Sequence, residues 1–360
     1  MRCVVLGAGL MGRLMAFALA RQGHSVEVHE AQGSDAMGAA ARIAAAMLAP
    51  LAESAITETS VVRMGHHSID RWQSLLADLP EPVFSQRNGS LIVWHRQDAP
   101  QAKQFEQMLH QTGRDCPDLP ALEKVDGARL ADLEPSLAGR FTQGLYLPGE
   151  GQLDNRGLLL ALLRALQTDP KVTLHWNSPR TPQDFDLKAA DAPDWLIDCR
   201  GLGARDRLRL RGVRGEVIRL HAPDVTLQRP TRLIHPRYPI YIAPKPDHLF
   251  VIGATEIESE DMSPASVRST LELLSAAYTV HPGFGEARIL EIATQARPTL
   301  TDNLPCVTLH GPRHISLNGL YRHGFLISPA MLDAALEWLG HETTEWALRW
   351  GLRVEDERNH

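Results

Sequence analysis

The stretch VVLGAGLMGRLMAFALARQGHSVEVHE, residues 4–30, holds two apolar runs that flank a glycine-rich turn and a helical pattern. Residues 2–6 predict a short strand. Apolar side chains then recur at helical spacing over residues 10–22, and Gly23 stands where a helix ends. Residues 25–30 alternate as a second strand. The stretch therefore predicts a strand, helix, strand unit of an α/β protein.

The turn after the first strand has the pattern GxGxxG, formed by Gly7, Gly9 and Gly12. The first glycine allows the tight turn, the second lets the backbone approach a pyrophosphate, and the third lets helix and strand pack closely. Glu30 ends the second strand, where a carboxylate can accept hydrogen bonds from a ribose and repels a 2′-phosphate. These features predict a dinucleotide site, but they do not separate a nicotinamide from a flavin.

The charged residues argue against a nucleic-acid partner. The 360 residues include 37 basic and 43 acidic side chains, for a net charge of −6, and the basic ones are scattered along the chain. Proteins that bind a phosphate backbone instead gather their basic residues on one face. Hydrophobic residues make up 44% of the chain, which is enough to bury a sizeable core.

The cysteines and the N-terminus bear on location. Cys3, Cys116, Cys199 and Cys306 are far apart and form no CxxC, so neither a disulfide framework nor a thiolate zinc site is indicated. Glycines and Arg13 interrupt the first apolar run, which disfavours a cleaved signal peptide. No uninterrupted apolar segment reaches about 18 residues, so no spanning helix is expected. We expect a cytoplasmic protein.

The secondary-structure pattern that the sequence predicts changes several times after the first strand, helix, strand unit. From Val83 it becomes β-rich, and helix and strand signals of the first kind return over residues 156–166 and 195–199. A second β-rich block contains a hairpin around residues 244–248. From about Arg297 the pattern is again strand, turn, helix. Two lobes are therefore expected to be interleaved rather than consecutive.

Four later segments carry a resemblance to a known family. They are AAARIAAAMLAPLAE (39–53), WLIDCRGLGAR (195–205), ARPTLTDNLP (296–305) and NGLYRHGFLISPAM (318–331). Together with the GxGxxG turn, and in this order, they resemble the D-amino-acid oxidase superfamily. Within it they are most similar to the glycine oxidases of thiamine biosynthesis, and the similarity covers nearly the whole chain.

The resemblance implies the domain organisation. A Rossmann-like FAD-binding lobe would comprise residues 1–82, 143–212 and 297–360. A substrate-binding lobe with an antiparallel or mixed sheet would comprise residues 83–142 and 213–296. The fold class expected is thus α/β of the D-amino-acid oxidase type.

The resemblance also implies FAD as the cofactor. No cysteine lies near the last flavin segment, so we expect non-covalent attachment. The residues expected to bind FAD are Gly7, Gly9, Leu10, Met11, Gly12, Glu30, Ala44, Ala45, Ala46, Met47, Gly201, Gly203, Arg322, His323, Gly324, Phe325, Leu326 and Ile327.

Two details concern how the flavin fits. The family often has glycine at the position of Ala46. Pro329 suits the first turn of a helix that runs to about Leu339. The free N–H groups at the start of that helix would face the flavin pyrimidine ring and stabilise negative charge on the reduced flavin.

Four residues are candidates for the substrate site. An arginine can hold a substrate carboxylate with two parallel hydrogen bonds, and Arg297 matches the family's carboxylate-binding arginine. Tyr241 matches a tyrosine that joins this grip. Arg322 matches a second arginine beside the flavin, although it could equally be a structural partner. Glu256 stands where some glycine oxidases carry an apolar residue. It could favour a cationic or hydroxylated amine, or simply face solvent.

The function implied is oxidation of glycine or another small amino acid by O2, which gives an imine, glyoxylate after hydrolysis, and H2O2. The family suggests a homo-oligomer. Alternatives are a D-amino-acid dehydrogenase that passes electrons to a quinone, a nicotinamide dehydrogenase, and a flavin-binding protein without catalysis. No metal site is predicted, because no HExxH occurs and Gly311 and Pro312 separate His310 from His314.

Overall fold

A computed structural model describes residues 1–237 and 239–358. Tyr238, Asn359 and His360, which belong to the implied domains, lie outside the described residues. The strands are β1 (Arg2–Leu6), β2 (Ser25–His29), β3 (Met47–Leu48), β4 (Ser85–Gln86), β5 (Ser90–Trp94), β6 (Glu123–Asp126), β7 (Gln143–Leu147), β8 (Gly151–Leu153), β9 (Val172–His175), β10 (Trp195–Asp198), β11 (Arg211–His221), β12 (Thr231–Ile234), β13 (Ile240–Lys245), β14 (Leu249–Gly253), β15 (Arg288–Thr299), β16 (Cys306–Gly311), β17 (His314–Asn318) and β18 (Arg353–Asp356).

The helices alternate with these strands. They are α1 (Leu10–Arg21), α2 (Pro50–Glu53), α3 (Thr59–Ala77), α4 (Ala99–Asp115), α5 (Gly127–Leu133), α6 (Asn155–Thr168), α7 (Val267–Val280), α8 (Gly324–His341) and α9 (Glu345–Trp350). Within the described residues, no helix combines the length and the apolar character needed to cross a bilayer.

The first sheet has the strand order β18-β16-β17-β10-β1-β2-β9. β1 pairs in parallel with both β2 and β10, as the strand, helix, strand pattern predicts. Every residue of α1 from Leu10 to Ala20 is buried, because the helix lies between this sheet and the helices α6 and α8. These elements share one apolar core. The sheet therefore holds the carboxyl end of β1, where the GxGxxG turn follows, at the centre of the lobe.

The position of Pro329 differs from its prediction. α8 begins at Gly324, so Pro329 is its sixth residue and not part of its first turn. Proline has no N–H, which leaves the carbonyl of Phe325 without a donor from the helix. The indole nitrogen of Trp72, in α3, donates to that carbonyl at 2.7 Å. The helix accommodates the proline because a neighbouring helix supplies the missing hydrogen bond.

The second sheet has the order β15-β11-β14-β13-β12-β5-β7-β6. Most of its pairs are antiparallel, but β12 and β5 run in parallel, so the sheet is mixed, as the resemblance implies. A small third sheet, β3-β8-β4, lies between the lobes. β7, residues 143–147, pairs with β5 and β6 in the second sheet. The domain boundary implied at residue 143 therefore lies too early in the chain. The chain leaves the lobe of the second sheet only after β7.

Candidate active site

A cavity of about 430 Å³, here called the inner cavity, lies where the two lobes meet. All four candidate substrate residues line it. Among the residues expected to bind FAD, those that line it are Gly7, Gly9, Leu10, Met11, Glu30, Ala44, Ala45, Ala46, Met47, Gly201, Gly203, Arg322, His323, Gly324, Phe325 and Leu326. Gly12 and Ile327 lie behind the wall. The fold thus gathers segments from residues 7 to 326 around one space.

Two glycines of the nucleotide turn, Gly7 and Gly12, have no room for a side chain. A Cβ on Gly12 would lie 1.8 Å from the carbonyl oxygen of Gly7, so this glycine serves helix and strand packing and not contact with a ligand. Gly7 has φ +89° and lies against the backbone of Cys199. α1 begins at Leu10, and its N-cap residue, Gly9, supplies no side-chain cap. The first N–H groups of α1 are therefore available to a pyrophosphate.

The carboxylate of Glu30 is held by the backbone. One oxygen accepts a hydrogen bond from the N–H of Ala8 at 2.7 Å, and the other accepts one from Gln32 at 3.0 Å. Two backbone donors fix the direction of the carboxylate at the wall of the inner cavity. Each carboxylate oxygen can accept a second bond, so Glu30 retains the capacity to bind ribose hydroxyls.

The alanine segment lies between the lobes. Ala45 packs against Val217, Ala243 and Val251 of the second sheet. Ala46 has φ +53°, a left-handed conformation that glycine adopts without strain. That conformation would suit the glycine that the family resemblance implies at this position. The carbonyl of Ala45 accepts a hydrogen bond from the Lys245 ammonium at 2.8 Å, which fixes the segment against the substrate sheet.

The start of α8 is also uncapped by any side chain. His323 precedes it, and Gly324 and Phe325 belong to its first turn and line the inner cavity. Two uncapped helix N-termini and a glycine-lined turn thus face one space. This donor set fits FAD, which carries a pyrophosphate and an isoalloxazine ring that becomes anionic on reduction.

Arg297 enters the inner cavity from β15. Its guanidinium donates to the carbonyls of Thr255 at 3.0 Å and Arg214 at 3.3 Å. Among residues 1–237 and 239–358, no carboxylate forms an ion pair with it. Burial lowers the pKa of Arg297, although Tyr241 and Glu256 oppose that shift. A cation held only by backbone carbonyls is an electrostatically incomplete site.

Two glycines make room for the side chains of Arg297 and Tyr241. A Cβ on Gly215 would lie 2.3 Å from an Arg297 nitrogen, and one on Gly253 would lie 2.5 Å from the Tyr241 hydroxyl. Tyr241 and Gly253 are paired across β13 and β14. Burial raises the pKa of Tyr241, so its hydroxyl keeps its proton and can donate.

Arg322 differs from Arg297 in having acidic partners. Its Nε lies 3.2 Å from Glu53, and Nη1 donates to Glu256 at 2.5 Å. Burial alone would lower the pKa of Arg322, but these two carboxylates raise it overall. The Tyr321 hydroxyl also donates to Glu256. Arg322 is therefore a structural partner as well as a residue of the cavity wall.

Glu256 is partly exposed to solvent and also lines the inner cavity. Its side chain is 44% exposed, and it still lines the inner cavity through its contacts with Arg322 and Tyr321. It stands at the edge of the cavity, where it closes the gap between the loop after β14 and the segment before α8.

Glu53 is a site residue that sequence reasoning missed. Burial would raise its pKa, but Arg322 and Arg232 lower it well below the ordinary range. His323 lies 3.6 Å away, too far for a hydrogen bond. The only sequence signal was a carboxylate next to the alanine segment. Gly215 and Gly253 were also missed, although a glycine inside a strand pattern indicates a close approach by another group.

A separate group of potential metal ligands lies at the edge of the first sheet. Atoms of Glu27, His29 and His175 lie within 4.8 Å of one another. Both imidazole Nε2 atoms are 3.0 Å from the same Glu27 oxygen. The two rings are stacked with an angle of 10°. The Glu27 oxygen accounts for this geometry, because it lies within hydrogen-bond distance of both imidazole nitrogens.

Comparison with known proteins agrees with this architecture. The family model DAO, described as FAD dependent oxidoreductase, matches residues 2–336. A Rhizobium etli protein, provisionally described as the thiamine biosynthesis oxidoreductase ThiO, is 40% identical over 332 residues, which cover 92% of this chain and 94% of the relative.

Solved structures share the fold. Iminodiacetate oxidase from Chelativorans sp. BNC1 matches with a TM-score of 0.82 at 20% identity, over 98% of this chain and 99% of that chain. Glycine oxidase from Geobacillus kaustophilus matches with a TM-score of 0.80 at 23% identity, over 96% of each chain. With the family model matched over nearly the whole length, the chain belongs to the DAO family of FAD-dependent oxidoreductases.

Proposed function

We propose that this enzyme oxidises glycine or another small amino acid to the imine, with O2 as the acceptor. The imine hydrolyses to glyoxylate when the substrate is glycine. One observation carries the proposal: Arg297 presents a partly buried guanidinium that, among the residues described, has backbone carbonyls but no carboxylate as partners. A substrate carboxylate supplies the missing negative charge.

The roles of the residues follow from their positions. Arg297 would hold the substrate carboxylate through its planar fork, and the Tyr241 hydroxyl would donate a further hydrogen bond. This grip would orient the α-carbon hydrogen toward the ring-binding segment at Arg322 and His323. FAD would supply the redox chemistry, since it can accept a hydride, which carries two electrons, from an amine and pass those two electrons on.

No side chain is needed as a catalytic base. The substrate must present a neutral amine, which loses one proton as the carbon–nitrogen double bond forms and the α-carbon gives up a hydride. O2 takes up the two electrons and two protons to give H2O2. Orientation by Arg297 and the electrostatics at the start of α8 would supply most of the rate enhancement.

Anaerobic reduction of the bound flavin tests the proposal. The purified enzyme should bleach near 450 nm when glycine, sarcosine or D-alanine is added, and acetate should not bleach it. Under air, H2O2 should form in equal amount to imine. Bleaching without peroxide, together with reduction of an added quinone, would favour the dehydrogenase alternative. Absence of bleaching by every amino acid would contradict the proposal.

Three further expectations belong with it. We propose a role in thiamine thiazole synthesis, which the description of the Rhizobium relative as a thiamine biosynthesis oxidoreductase supports. The cysteines described are free and buried, which suits the cytoplasm. We also expect a homo-oligomer, supported by exposed apolar residues on α7, Val267, Leu271 and Tyr278. Light scattering of Leu271→Glu beside the native protein would test this last expectation.

A further inference from the structure

A second cavity of about 700 Å³, here called the outer chamber, adjoins the inner cavity. The two share four lining residues, Tyr241, Ala254, Glu256 and Arg322. Three of these four are candidate substrate residues. Anything that lies between Arg297 and the outer chamber therefore passes the substrate end of the inner cavity.

The size of the outer chamber exceeds what glycine needs. Cavities of about 300–1,000 Å³ accommodate whole drug-sized ligands, whereas glycine has only five non-hydrogen atoms. The inner cavity already contains Arg297 and Tyr241, which are sufficient to grip a carboxylate. The outer chamber would stay filled with water if glycine were the only substrate.

The walls of the outer chamber are mainly apolar. α4 contributes Phe105 and Met108, and the strands β12 and β13 contribute Ile234 and Ile240. On the opposite side, α7 contributes Leu273. Water between such walls makes few hydrogen bonds, so an alkyl or aryl group that displaced it would gain free energy.

The rim of the outer chamber carries more positive than negative side chains. Arg237 and Arg268 both line it. Arg268 is 79% exposed and lies 3.8 Å from Glu272, a loose contact for an ion pair. Among the residues described, no acidic side chain pairs with Arg237. The rim thus suits an anionic group at the far end of a ligand.

Glu256 forms the partition between the two spaces. Its carboxylate accepts hydrogen bonds from Tyr321 and Arg322, and its partial exposure makes the contact weak and reversible. Arg322 would keep Glu53 as a partner if Glu256 turned away. A substituent can therefore displace the Glu256 side chain without leaving a buried cation unpaired.

We propose that the outer chamber binds a substituent on the substrate: the preferred amino acid is extended, on its nitrogen or its α-carbon, by an apolar chain with an anionic end. This rests on the proposed function, because Arg297 must hold the first carboxylate. Each methylene moved from water to an apolar wall favours binding by about fourfold. A four-carbon chain should gain at least about tenfold after its losses of conformational freedom.

The first experiment compares kcat/KM along a series of amines. Glycine, N-methylglycine, N-butylglycine and N-(4-carboxybutyl)glycine extend the nitrogen, and the two enantiomers of 2-aminoheptanedioate extend the α-carbon. We expect kcat/KM to rise at least about tenfold from glycine to the favoured six- or seven-carbon compound. The series in which kcat/KM rises shows whether the preferred substrate is extended on its nitrogen or on its α-carbon.

The second experiment measures binding without turnover. Acetate, hexanoate and heptanedioate cannot be oxidised, and their binding is followed by the change in the visible spectrum of the enzyme-bound FAD. Affinity should increase in that order. This readout does not need an active enzyme, so a failure of the proposed amine oxidation leaves the proposal about the outer chamber testable.

Variants on α4 complete the test. Met108→Trp and Gln104→Trp would fill the outer chamber from an exposed position, and Gln107→Trp, exposed on the same helix but outside the chamber, is the matched control. The first two should abolish the advantage of the long compounds and leave glycine within about twofold. Equal affinity for short and long carboxylates, or an unchanged advantage in both filled variants, would overturn the proposal.

Discussion

Two arginines face the same cavity in opposite electrostatic states. Arg322 lies between Glu53 and Glu256 and is neutralised by both. Within the part of the chain that the structure describes, the Arg297 guanidinium donates only to the carbonyl oxygens of Arg214 and Thr255. The surroundings raise the pKa of one guanidinium and lower that of the other. A buried cation without a counter-charge is unfavourable. We therefore expect such an arginine at a place where a bound ligand supplies the negative charge.

This comparison indicates different roles for Arg322 and Arg297. Arg322 is part of a network that joins the segment before α8 to α2 and to β12 through Arg232. The charges of that network are paired without a ligand. Arg297 becomes complete only when an anion binds. Stability should therefore depend on Arg322, and catalysis on Arg297.

Arg297→Met should have the largest effect. It removes the charged part of the predicted grip on the carboxylate, so kcat/KM for the best amine should fall by about 2–5 kcal/mol of transition-state binding, or about 30-fold to several thousandfold. The free energy of unfolding should stay the same or rise, because an unpaired buried cation is removed. Steady-state kinetics and urea unfolding on one preparation measure both. A loss below threefold would remove Arg297 from this role.

The pH dependence of stability should reveal His323, which lies beside Glu53. Burial lowers its pKa to about 4, compared with about 6.5 in the unfolded chain. Between these values the unfolded chain binds more protons than the native protein. Stability from this residue is therefore present above pH 6.5 and is lost as the pH falls toward 4, by up to about 3 kcal/mol.

His323→Asn should flatten this part of the stability curve, since asparagine does not titrate and suits the N-cap position of α8, which His323 occupies. Urea unfolding from pH 4 to pH 7, with constant excess FAD, measures the slope. His110→Asn, on the exposed surface of α4, should leave it unchanged. An identical slope in native protein and His323→Asn would show that burial does not depress this imidazole.

Arg322→Met should lower the free energy of unfolding by about 2 kcal/mol. It leaves Glu53 buried with Arg232 as its remaining partner, and the partial exposure of Arg322 reduces the usual loss of about 3–5 kcal/mol. Arg205→Met breaks an exposed pair with Glu260 and should change stability by less than about 0.5 kcal/mol. Equal effects of the two substitutions would erase the distinction between Arg322 and a surface arginine.

Tyr241→Phe should have the smallest effect. The hydroxyl would add one hydrogen bond to the carboxylate grip, so its loss should raise KM by about fivefold, or about 1 kcal/mol. Tyr278→Phe, exposed on α7, is the control. A fall in kcat without a change in KM would place Tyr241 in the chemical step and not in ground-state binding.

Local patterns predicted a large part of the fold. The strand, helix, strand unit around GxGxxG depends on residues within 30 positions of each other, and its helix begins at Leu10 as predicted. Pro329 shows the limit of such patterns. Its place in the middle of α8 depends on Trp72, more than 250 residues earlier, and no local rule contains that contact.

The candidate substrate site shows the same limit. Arg297, Tyr241 and Arg322 were identified through the family resemblance, and the structure brings them to one cavity. Glu53, Gly215 and Gly253 escaped notice because their roles exist only through distant partners. A carboxylate becomes a counter-ion, and a glycine becomes a clearance for a guanidinium, only when separate strands meet.

The sequence by itself determined the dinucleotide turn, the interleaving of two lobes and the family, because these depend on short-range spacing and on the order of segments. Only the tertiary structure decided that Arg322 has carboxylate partners and that Arg297 has carbonyl partners instead. Coulombic partnership depends on distance in space, and Glu53 is 269 positions from Arg322 in the chain but 3.2 Å from it in the folded protein.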